Sequence, residues 1–204
     1  MFMTVLRQAG TGLRVLLVAT VLLGIGYPLA VWGVSRVPGL HDHAEGSPLV
    51  VDGRVVGSEL IGVDPVPANP AQDPFFHTRP SASADGNLGP GDPATSGGSN
   101  LSADNAELLA AVQERRAAIA VREAVVPAAV PADAVTASAS GVDPGISPAY
   151  AELQAPRVAR VTGLPLPEVH RLIAEATSGG VVAERTVAVP ALNAAIAGAP
   201  AHTG

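Results

Sequence analysis

A single uncharged apolar stretch dominates the hydropathy pattern of this chain. Residues 15–35 read VLLVATVLLGIGYPLAVWGVS, which is 21 residues without a charge. As an α-helix rising about 1.5 Å per residue, this stretch covers about 30 Å, the thickness of a bilayer's hydrocarbon core. Arg14 precedes it, Arg36 follows it, and Trp32 lies near its end, where an amphipathic ring suits the headgroup region. The pattern therefore predicts one transmembrane helix.

A cleaved signal peptide is the alternative interpretation of this stretch. Its apolar core would run about 7–15 residues and end at a small-x-small cleavage site. Here the run is longer and ends in Trp-Gly-Val-Ser-Arg, which favours a retained helix. Arg7 and Arg14 precede the span with no acid nearby. The positive-inside rule then predicts a cytoplasmic N-terminus over residues 1–14 and an extracytoplasmic domain over residues 36–204.

Small residues recur along one face of the predicted span. Ala19, Gly26, Ala30 and Gly33 follow one another at spacings of seven, four and three. Small side chains let two membrane helices approach closely, so we predict a helix-docking face at these four positions. The alternative is that Gly and Ala are simply frequent in membrane helices.

After the span, residues 36–47 are predicted as a loop, and short β-branched runs then indicate strands. Two such runs flank Asp52-Gly53, a pair that favours a tight hairpin turn. Phe75 and Phe76 open a short strand or buried turn. Residues 83–100 contain seven glycines or prolines and are predicted as a long loop. Further strands are predicted at 135–138 and 186–189.

Three soluble helices are predicted from apolar periodicity and capping residues. The first begins after Ser102 or Asp104 and runs to about residue 125. The second begins at Ser147-Pro148, is interrupted at Pro156 and resumes to about residue 162. The third covers residues 167–177, and a short helix follows the last strand. Mixed strands and helices predict an α/β (mixed α+β) domain.

Charge and composition exclude several classes of function. Residues 34–204 carry 18 acids against ten arginines, a formal net charge of about −8. Nucleic-acid binding requires a basic surface, so we predict no nucleic-acid partner. The chain has no cysteine and therefore neither disulfides nor a thiolate metal site or cysteine nucleophile. Aromatic residues after position 36 are limited to Phe75, Phe76 and Tyr150, so the core must be mainly aliphatic.

Residues with catalytic or metal-binding potential form no recognisable site. His41 and His43 flank Asp42 as an H-x-H pair, but without a further nearby histidine a solvated loop is favoured over a metal site. The Gly-rich stretch 89–100 lacks the lysine that a phosphate-binding loop requires, since the chain contains no lysine. No G-x-S-x-G elbow is present. We predict no catalytic, cofactor-binding or metal site.

Arg79 is the arginine with the clearest structural potential, because Pro80 fixes the backbone behind it. It can donate to loop carbonyls or pair with a carboxylate such as Asp143; contact with a partner protein is the alternative. Residues 136–147 (TASASGVDPGIS) are dense in small polar side chains. They form either a docking loop or a hydrogen-bonded structural turn.

Seven short motifs, in order, resemble those of the C subunit of the Kdp potassium-transporting ATPase. They are Gly57–Gly62 (GSELIG), Phe75–Ala82 (FFHTRPSA), Ser96–Leu101 (SGGSNL), Val130–Asp133 with Thr136–Ser138, Ser140–Pro144 (SGVDP), Ile146–Pro148 (ISP) and Gln154–Ala159 (QAPRVA). Following one N-terminal span, they cover nearly the whole chain. On these motifs Ser96, Gly97, Gly98, Asn100, Gln154 and Arg157 join Arg79 and Asp143 as candidate structural or partner-contact residues.

The resemblance implies an accessory subunit of an ATP-driven, high-affinity potassium importer in the bacterial inner membrane. The implied partners are a channel-like subunit that carries potassium, a P-type ATPase subunit and a small membrane subunit. The resemblance also implies a catalytic chaperone that raises the ATPase subunit's affinity for ATP. The resemblance links nucleotide to a Ser-Gly-Gly-Gln signature; in this chain Ser96-Gly97-Gly98 is followed by Ser99, so no nucleotide site is assigned to it. ATP would then bind only to the ATPase subunit, and this chain would change that subunit's affinity for ATP through an energetic coupling across the assembly.

Two hypotheses from other classes compete with the accessory subunit. A stand-alone membrane-anchored extracytoplasmic enzyme would turn over a small substrate without partners. A scaffold or adhesion module would be recovered without large membrane subunits.

One residue departs from the family pattern. Members of the family often have glutamine after the Ile-Gly pair, and this chain has Val63 after Ile61-Gly62.

Overall fold

The computed structural model describes residues 2–51, 53–180 and 183–199 and divides the chain into two compact units. Unit 1 covers residues 1–47 and unit 2 covers residues 48–204. Helices and small antiparallel sheets are combined with one N-terminal apolar helix, which agrees with the predicted mixed α+β class.

Unit 1 is built around one helix from Phe2 to Ser35, the only described helix long and apolar enough to cross a membrane. It comprises α1 (Phe2–Val21), a π-helical turn (Leu22–Gly26) and α2 (Tyr27–Ser35). It begins 13 residues before the predicted span. None of its apolar window is buried, as expected for a surface that packs against lipid or other helices.

A polar cluster follows the C-terminal end of this helix. The Arg36 guanidinium lies 5.2 Å from the Trp32 ring centroid and 3.3 Å from the Glu45 carboxylate. Residues His41–Ala44 form one helical turn, α3, within the segment predicted as a loop. The cation–π contact places an aromatic ring and a charge together at the end of the span, the combination typical of a membrane interface.

Unit 2 opens with the predicted hairpin. Strand β1 (Pro48–Val51) pairs antiparallel with β2 (Arg54–Ser58), and the register shifts between Leu49 and Val50. Gly53 adopts a φ of +75°, which only glycine tolerates readily; Asp52, the other predicted turn residue, lies outside the described residues.

The remaining elements of unit 2 surround one aliphatic core. They are α4 (Ala106–Glu123), α5 (Ala132–Val135), β3 (Gly145–Ile146), α6 (Pro148–Thr162), α7 (Leu166–Glu175), β4 (Thr177–Ser178), β5 (Thr186–Ala188) and α8 (Val189–Gly198). The second sheet has the order β3-β5-β4, with both pairings antiparallel. Phe76 and Tyr150 are the buried aromatic side chains in a core otherwise composed of Ala, Val, Leu and Ile.

Helix α6 is positioned by its ends and held through its centre. The Ser147 hydroxyl accepts from the Tyr150 N–H at 3.0 Å, Pro148 occupies the first turn, and Gly163 ends the helix with a φ of +75°. The predicted interruption at Pro156 is wrong, because the helix continues through it. Pro156 is exposed while its neighbours Ala155 and Arg157 are buried, so packing on either side maintains the helix at this position.

Two other local predictions were wrong. The strand predicted at 135–138 is replaced by α5 and an irregular segment, because the Thr136 N–H and hydroxyl both donate to the Ala132 carbonyl and close a helical turn. The cap of α4 is Asn105, whose side chain accepts from the Glu107 N–H at 2.7 Å. Ser102 instead donates to Asp104 at 2.7 Å.

Candidate functional site

The segment from Asp73 to Arg79, which overlaps the Phe-Phe-His-Thr-Arg-Pro motif, is anchored by side-chain amides from two helices. Gln154 is fully buried; its Oε1 accepts from the His77 N–H at 2.8 Å and its Nε2 donates to the His77 carbonyl at 3.2 Å. Asn193 makes the same paired contact with the backbone of Phe76, at 2.7 and 2.9 Å. The two amides therefore satisfy the backbone N–H and carbonyl groups of Phe76 and His77, which are not paired in a β-sheet.

Arg157 anchors the same segment from the next turn of α6 and is 4% exposed. Its Nη1 donates to the carbonyls of Asp73 at 2.8 Å and Phe75 at 3.0 Å. Its Nε donates to the Glu123 carboxylate at 2.9 Å, and its Nη2 donates to Gln154 Oε1 at 3.2 Å. The rigid fork of guanidinium donors suits this multiple contact. Burial of both Gln154 and Arg157 favours the structural alternative for these two candidates.

His77 lies between two carboxylates in the interior. Its Nδ1 is 3.1 Å from both oxygens of Asp64, and its Nε2 is 2.6 Å from Oδ2 of Asp73. Burial lowers the pKa of His77, but the two carboxylates outweigh burial and hold the pKa above its ordinary value. For Asp73, burial raises the pKa and the contacts with His77 and Arg157 outweigh it, so the net shift is downward. The geometry therefore favours an imidazolium between two carboxylates.

The charged network continues to α4 through Glu123. Its carboxylate accepts from Arg122 Nε at 2.7 Å and from Arg157 Nε at 2.9 Å, and Arg122 Nη2 donates to the Tyr150 hydroxyl at 2.8 Å. Burial, opposed by Arg122, raises the pKa of Tyr150 to about 12. Three acids and three bases alternate in this network: Asp64, Asp73, Glu123, His77, Arg122 and Arg157. It is formally neutral and cross-links α4, α6 and the 64–79 segment.

Arg79 joins its own segment to the 136–147 loop. Its Nη1 lies 3.4 Å from Oδ2 of Asp143, and it donates to the carbonyls of Thr136 and Ala137, each at 3.4 Å. Both intramolecular contacts that the sequence suggested are therefore present. Arg79 and Asp143 keep partial exposure, 26% and 36% of the side chains, so the partner-contact role stays a prediction.

The Ser96–Leu101 motif packs against that same loop. The Gly97 N–H donates to the Ser140 carbonyl at 2.8 Å, and a Cβ on Gly98 would lie 3.3 Å from the Ala139 carbonyl oxygen. Ser96 and Asn100 are exposed at either end of this contact. Gly98 thus allows close backbone packing against Ala139, and the exposed pair Ser96 and Asn100 remains a candidate for partner contact.

The four small residues of the span are divided by the π-helical turn. Ala19 precedes the turn, Gly26 ends it, and Ala30 and Gly33 follow in α2. A π turn adds a residue to one helical turn, so residues after it are rotated relative to Ala19. Gly26, Ala30 and Gly33 share one α-helical register beyond the turn, and this is the part of the predicted docking face that stays contiguous.

The residues described by the structure contain no cluster of three or more His, Asp or Glu side chains arranged to hold a metal ion. His41 contacts Arg36 at 3.5 Å, and His43 contacts the Ser47 hydroxyl at 3.4 Å. The two histidines of the H-x-H pair therefore contact different side chains.

The sequence analysis missed Asp64, Asp73, His77 and Glu123. His77 lies inside a motif that was identified, but nothing in the local sequence indicates that the carboxylate of Asp64, 13 positions upstream, contacts it. A usable signal was Arg157: an arginine on the apolar face of α6, among buried alanines and Val158, requires buried acids nearby.

Comparison with known proteins identifies close similarity along the chain. Residues 9–198 match the family described as KdpC: K+-transporting ATPase, c chain. The potassium-transporting ATPase KdpC subunit of Kineococcus radiotolerans is 47% identical over 194 residues, covering 94% of this chain and 93% of the relative. The KdpC subunit of Mycobacterium tuberculosis H37Rv is 46% identical over 195 residues, covering 93% and 97%. That of Acidobacterium capsulatum is 43% identical over 180 residues, covering 87% and 90%.

Proposed function

The chain belongs to the KdpC family, the c chains of the K+-transporting ATPase, and from this membership we propose an accessory subunit that stabilises the assembled pump. The observation that carries the proposal is the helix from Phe2 to Ser35, whose apolar window is not buried by the chain itself. A helix of that kind is suited to lipid and to neighbouring membrane helices. The small residues Gly26, Ala30 and Gly33 support close packing against one of them.

We infer a division of labour within the complex. The channel-like subunit carries potassium, the P-type ATPase subunit hydrolyses ATP, and a small membrane subunit completes the assembly. The described polar interior of unit 2 supports a non-catalytic role for this chain, because its buried acids and bases contact one another. In this proposal the chain sits in the bacterial inner membrane with residues 1–14 cytoplasmic, 15–35 spanning and 36–204 extracytoplasmic.

The proposed catalytic-chaperone effect is indirect. With unit 2 on the outer side, where ATP is absent, the chain would raise the ATPase subunit's affinity for ATP through packing in the membrane. Such couplings are typically about 1–3 kcal/mol, or about 5- to 150-fold in affinity. The ATPase assembled with the chain should therefore show a lower apparent KM for ATP than the ATPase without it, while the chain alone binds no ATP.

Affinity purification of the full-length chain from its native membrane tests the proposal. Two large membrane subunits and one small subunit, identified by mass, are expected in near-stoichiometric amounts. A chain with residues 15–35 replaced by a polyleucine span serves as the control, since it inserts without the small-residue face. Recovery of the chain free of membrane subunits, or turnover of a small substrate by the chain alone, would contradict the accessory role.

A further inference from the structure

Unit 2 contains an apolar cavity of about 480 Å³ between the β1–β2 hairpin and α8. Leu49, Val51 and Val63 line one side, and Pro190, Ala194 and Ala197 line the other. The volume lies within the range of specific binding pockets, about 300–1,000 Å³. Small side chains on α8 leave this space unfilled.

The polar side chains that line the cavity are already engaged. Asn193 is held at both ends by the backbone of Phe76, and the Ser58 hydroxyl accepts from the Leu60 N–H at 3.0 Å. None of the charged side chains that the structure describes in unit 2 lines the cavity. An occupant must therefore be apolar, since a polar or ionic group would be desolvated here without side-chain compensation.

The rim of the cavity is continuous with exposed apolar surface. Among the described residues from Pro48 onward, eleven large apolar side chains are exposed, and seven of these lie between Val50 and Val66. Val55 is 68% exposed and Val66 is 69% exposed. Clustering of this kind marks an interaction surface, whereas scattered exposed apolar residues do not.

A lipid surface, a second copy of this chain or a different protein could occupy an apolar cavity, and charge distinguishes among the three. A lipid surface is disfavoured because membrane-binding surfaces are rich in Lys and Arg, and residues 48–66 carry Arg54 as their only basic residue. A second copy is disfavoured because its outer domain carries the same net negative charge. A different protein with exposed bulky apolar side chains remains.

The chain's connectivity indicates where that protein is. Twelve residues separate Ser35, the end of the membrane helix, from Pro48, the start of the hairpin. A fully extended segment of this length reaches at most about 45 Å. A protein that packs around the N-terminal helix is therefore within reach of the hairpin.

We propose that the hairpin cavity binds an extramembrane segment of a neighbouring membrane subunit, which inserts one or two bulky aliphatic or aromatic side chains. This inference rests on the proposed function and adds to it the contact surface in unit 2. The inserted side chains fill the space that Ala194 and Ala197 leave, and the apolar residues of the rim cover the partner's adjoining surface. Anchors of this type dominate the affinity of many interfaces.

Filling the cavity from within provides the test. Ala197→Leu places a larger side chain in the cavity, and Ala195→Leu adds the same atoms to an exposed position of α8 that does not line it. Full-length variants are purified by affinity from membranes, and the co-purified membrane subunits are quantified against the chain. We expect at least about ten-fold less partner with Ala197→Leu, an unchanged amount with Ala195→Leu, and unchanged thermal midpoints for both.

A second pair of variants covers the case in which Ala197→Leu disturbs folding. Val56→Asp adds a carboxylate at the exposed rim, and Val121→Asp adds one on α4, away from the cavity. Loss of partner with Val56→Asp alone supports the proposal. Wild-type partner recovery by Ala197→Leu and Val56→Asp overturns it, as does a selective loss of co-purified phospholipid or of self-association. Failure of the wild-type chain to recover membrane subunits would instead contradict the proposed function.

Discussion

His77 is a buried base whose protonation is linked to folding. Its raised pKa means that the native state binds the proton more tightly than the unfolded chain, whose histidine titrates near 6.5. The resulting stabilisation is fully present below about pH 6.5 and is lost as pH rises through the native pKa. Asp73, whose pKa is lowered, matters at the acidic end of the pH range. Its contribution to the stability of the native state is lost as pH falls below about 4.

We predict that the thermal midpoint of the full-length chain in detergent falls as pH is raised above about 6.5. His77→Gln should abolish most of this slope and lower stability by about 3–5 kcal/mol, because Asp64 and Asp73 lose their shared cation. Circular dichroism across the pH range measures both effects. His170→Asn is the control, since His170 is an exposed partner of Glu152. An unchanged slope in His77→Gln would refute the assignment.

Arg157 and Arg160 provide a matched comparison on α6, because one is buried in the network and the other is exposed. Arg157→Ala should destabilise the chain by about 3–5 kcal/mol, since Glu123 and Asp73 lose a buried cation. Arg160→Ala should change the stability by less than about 0.5 kcal/mol. Denaturant unfolding of the two variants in parallel gives the comparison. Equal effects would mean that the buried network contributes little to stability.

At the scale of secondary-structure elements, the sequence was most informative where short-range rules decide. The hairpin, the Ser147-Pro148 start of α6 and the last strand all follow from local residues. Pro156 shows the limit of these rules, because burial of the flanking Gln154 and Arg157 side chains is a tertiary effect. The same holds for Val135 and Thr136, which are β-branched but close a helical turn.

The π turn divides the N-terminal apolar helix into two parts with different rotational registers. It ends two residues before Pro28, which cannot donate a backbone hydrogen bond, so the irregular turn and the proline fall in the same region. Gly26 ends the turn, and Ala30 and Gly33 belong to the second part. A neighbouring helix would therefore contact the half of the span that is nearer to unit 2 in the chain.

Gly26→Leu should reduce recovery of the assembled complex, whereas Gly24→Leu, two positions away on a different face, should not. Added Cβ atoms at either glycine meet no atom of the chain closer than 3.6 Å, so a difference between the variants reports on a neighbour in the membrane. Membrane insertion, measured by carbonate extraction, should be equal for both. Equal recovery of the complex in mild detergent would exclude this face as a docking site.

At the scale of the whole molecule, the sequence motifs indicated the family and named Arg79, Asp143, Gln154 and Arg157 before their contacts were known. The cavity and the His77 network could not be derived in the same way. Each combines residues from distant parts of the chain, such as Val63 with Ala197, or Asp64 with Glu123. Only the packing of α4, α6 and α8 brings these residues together.

The orientation of the span determines how the chain can influence ATP use. Arg7 and Arg14 before the span, without nearby acids, predict that residues 36–204 face the outside. Protease added to intact spheroplasts should then cut within unit 2, for example in the exposed 83–100 loop, and leave a membrane-protected fragment that contains residues 15–35. A cytoplasmic protein monitored in the same samples reports any lysis. If unit 2 resists protease until the cells are lysed, it faces the nucleotide pool, and direct contact with ATP would replace coupling through the membrane as the simpler mechanism.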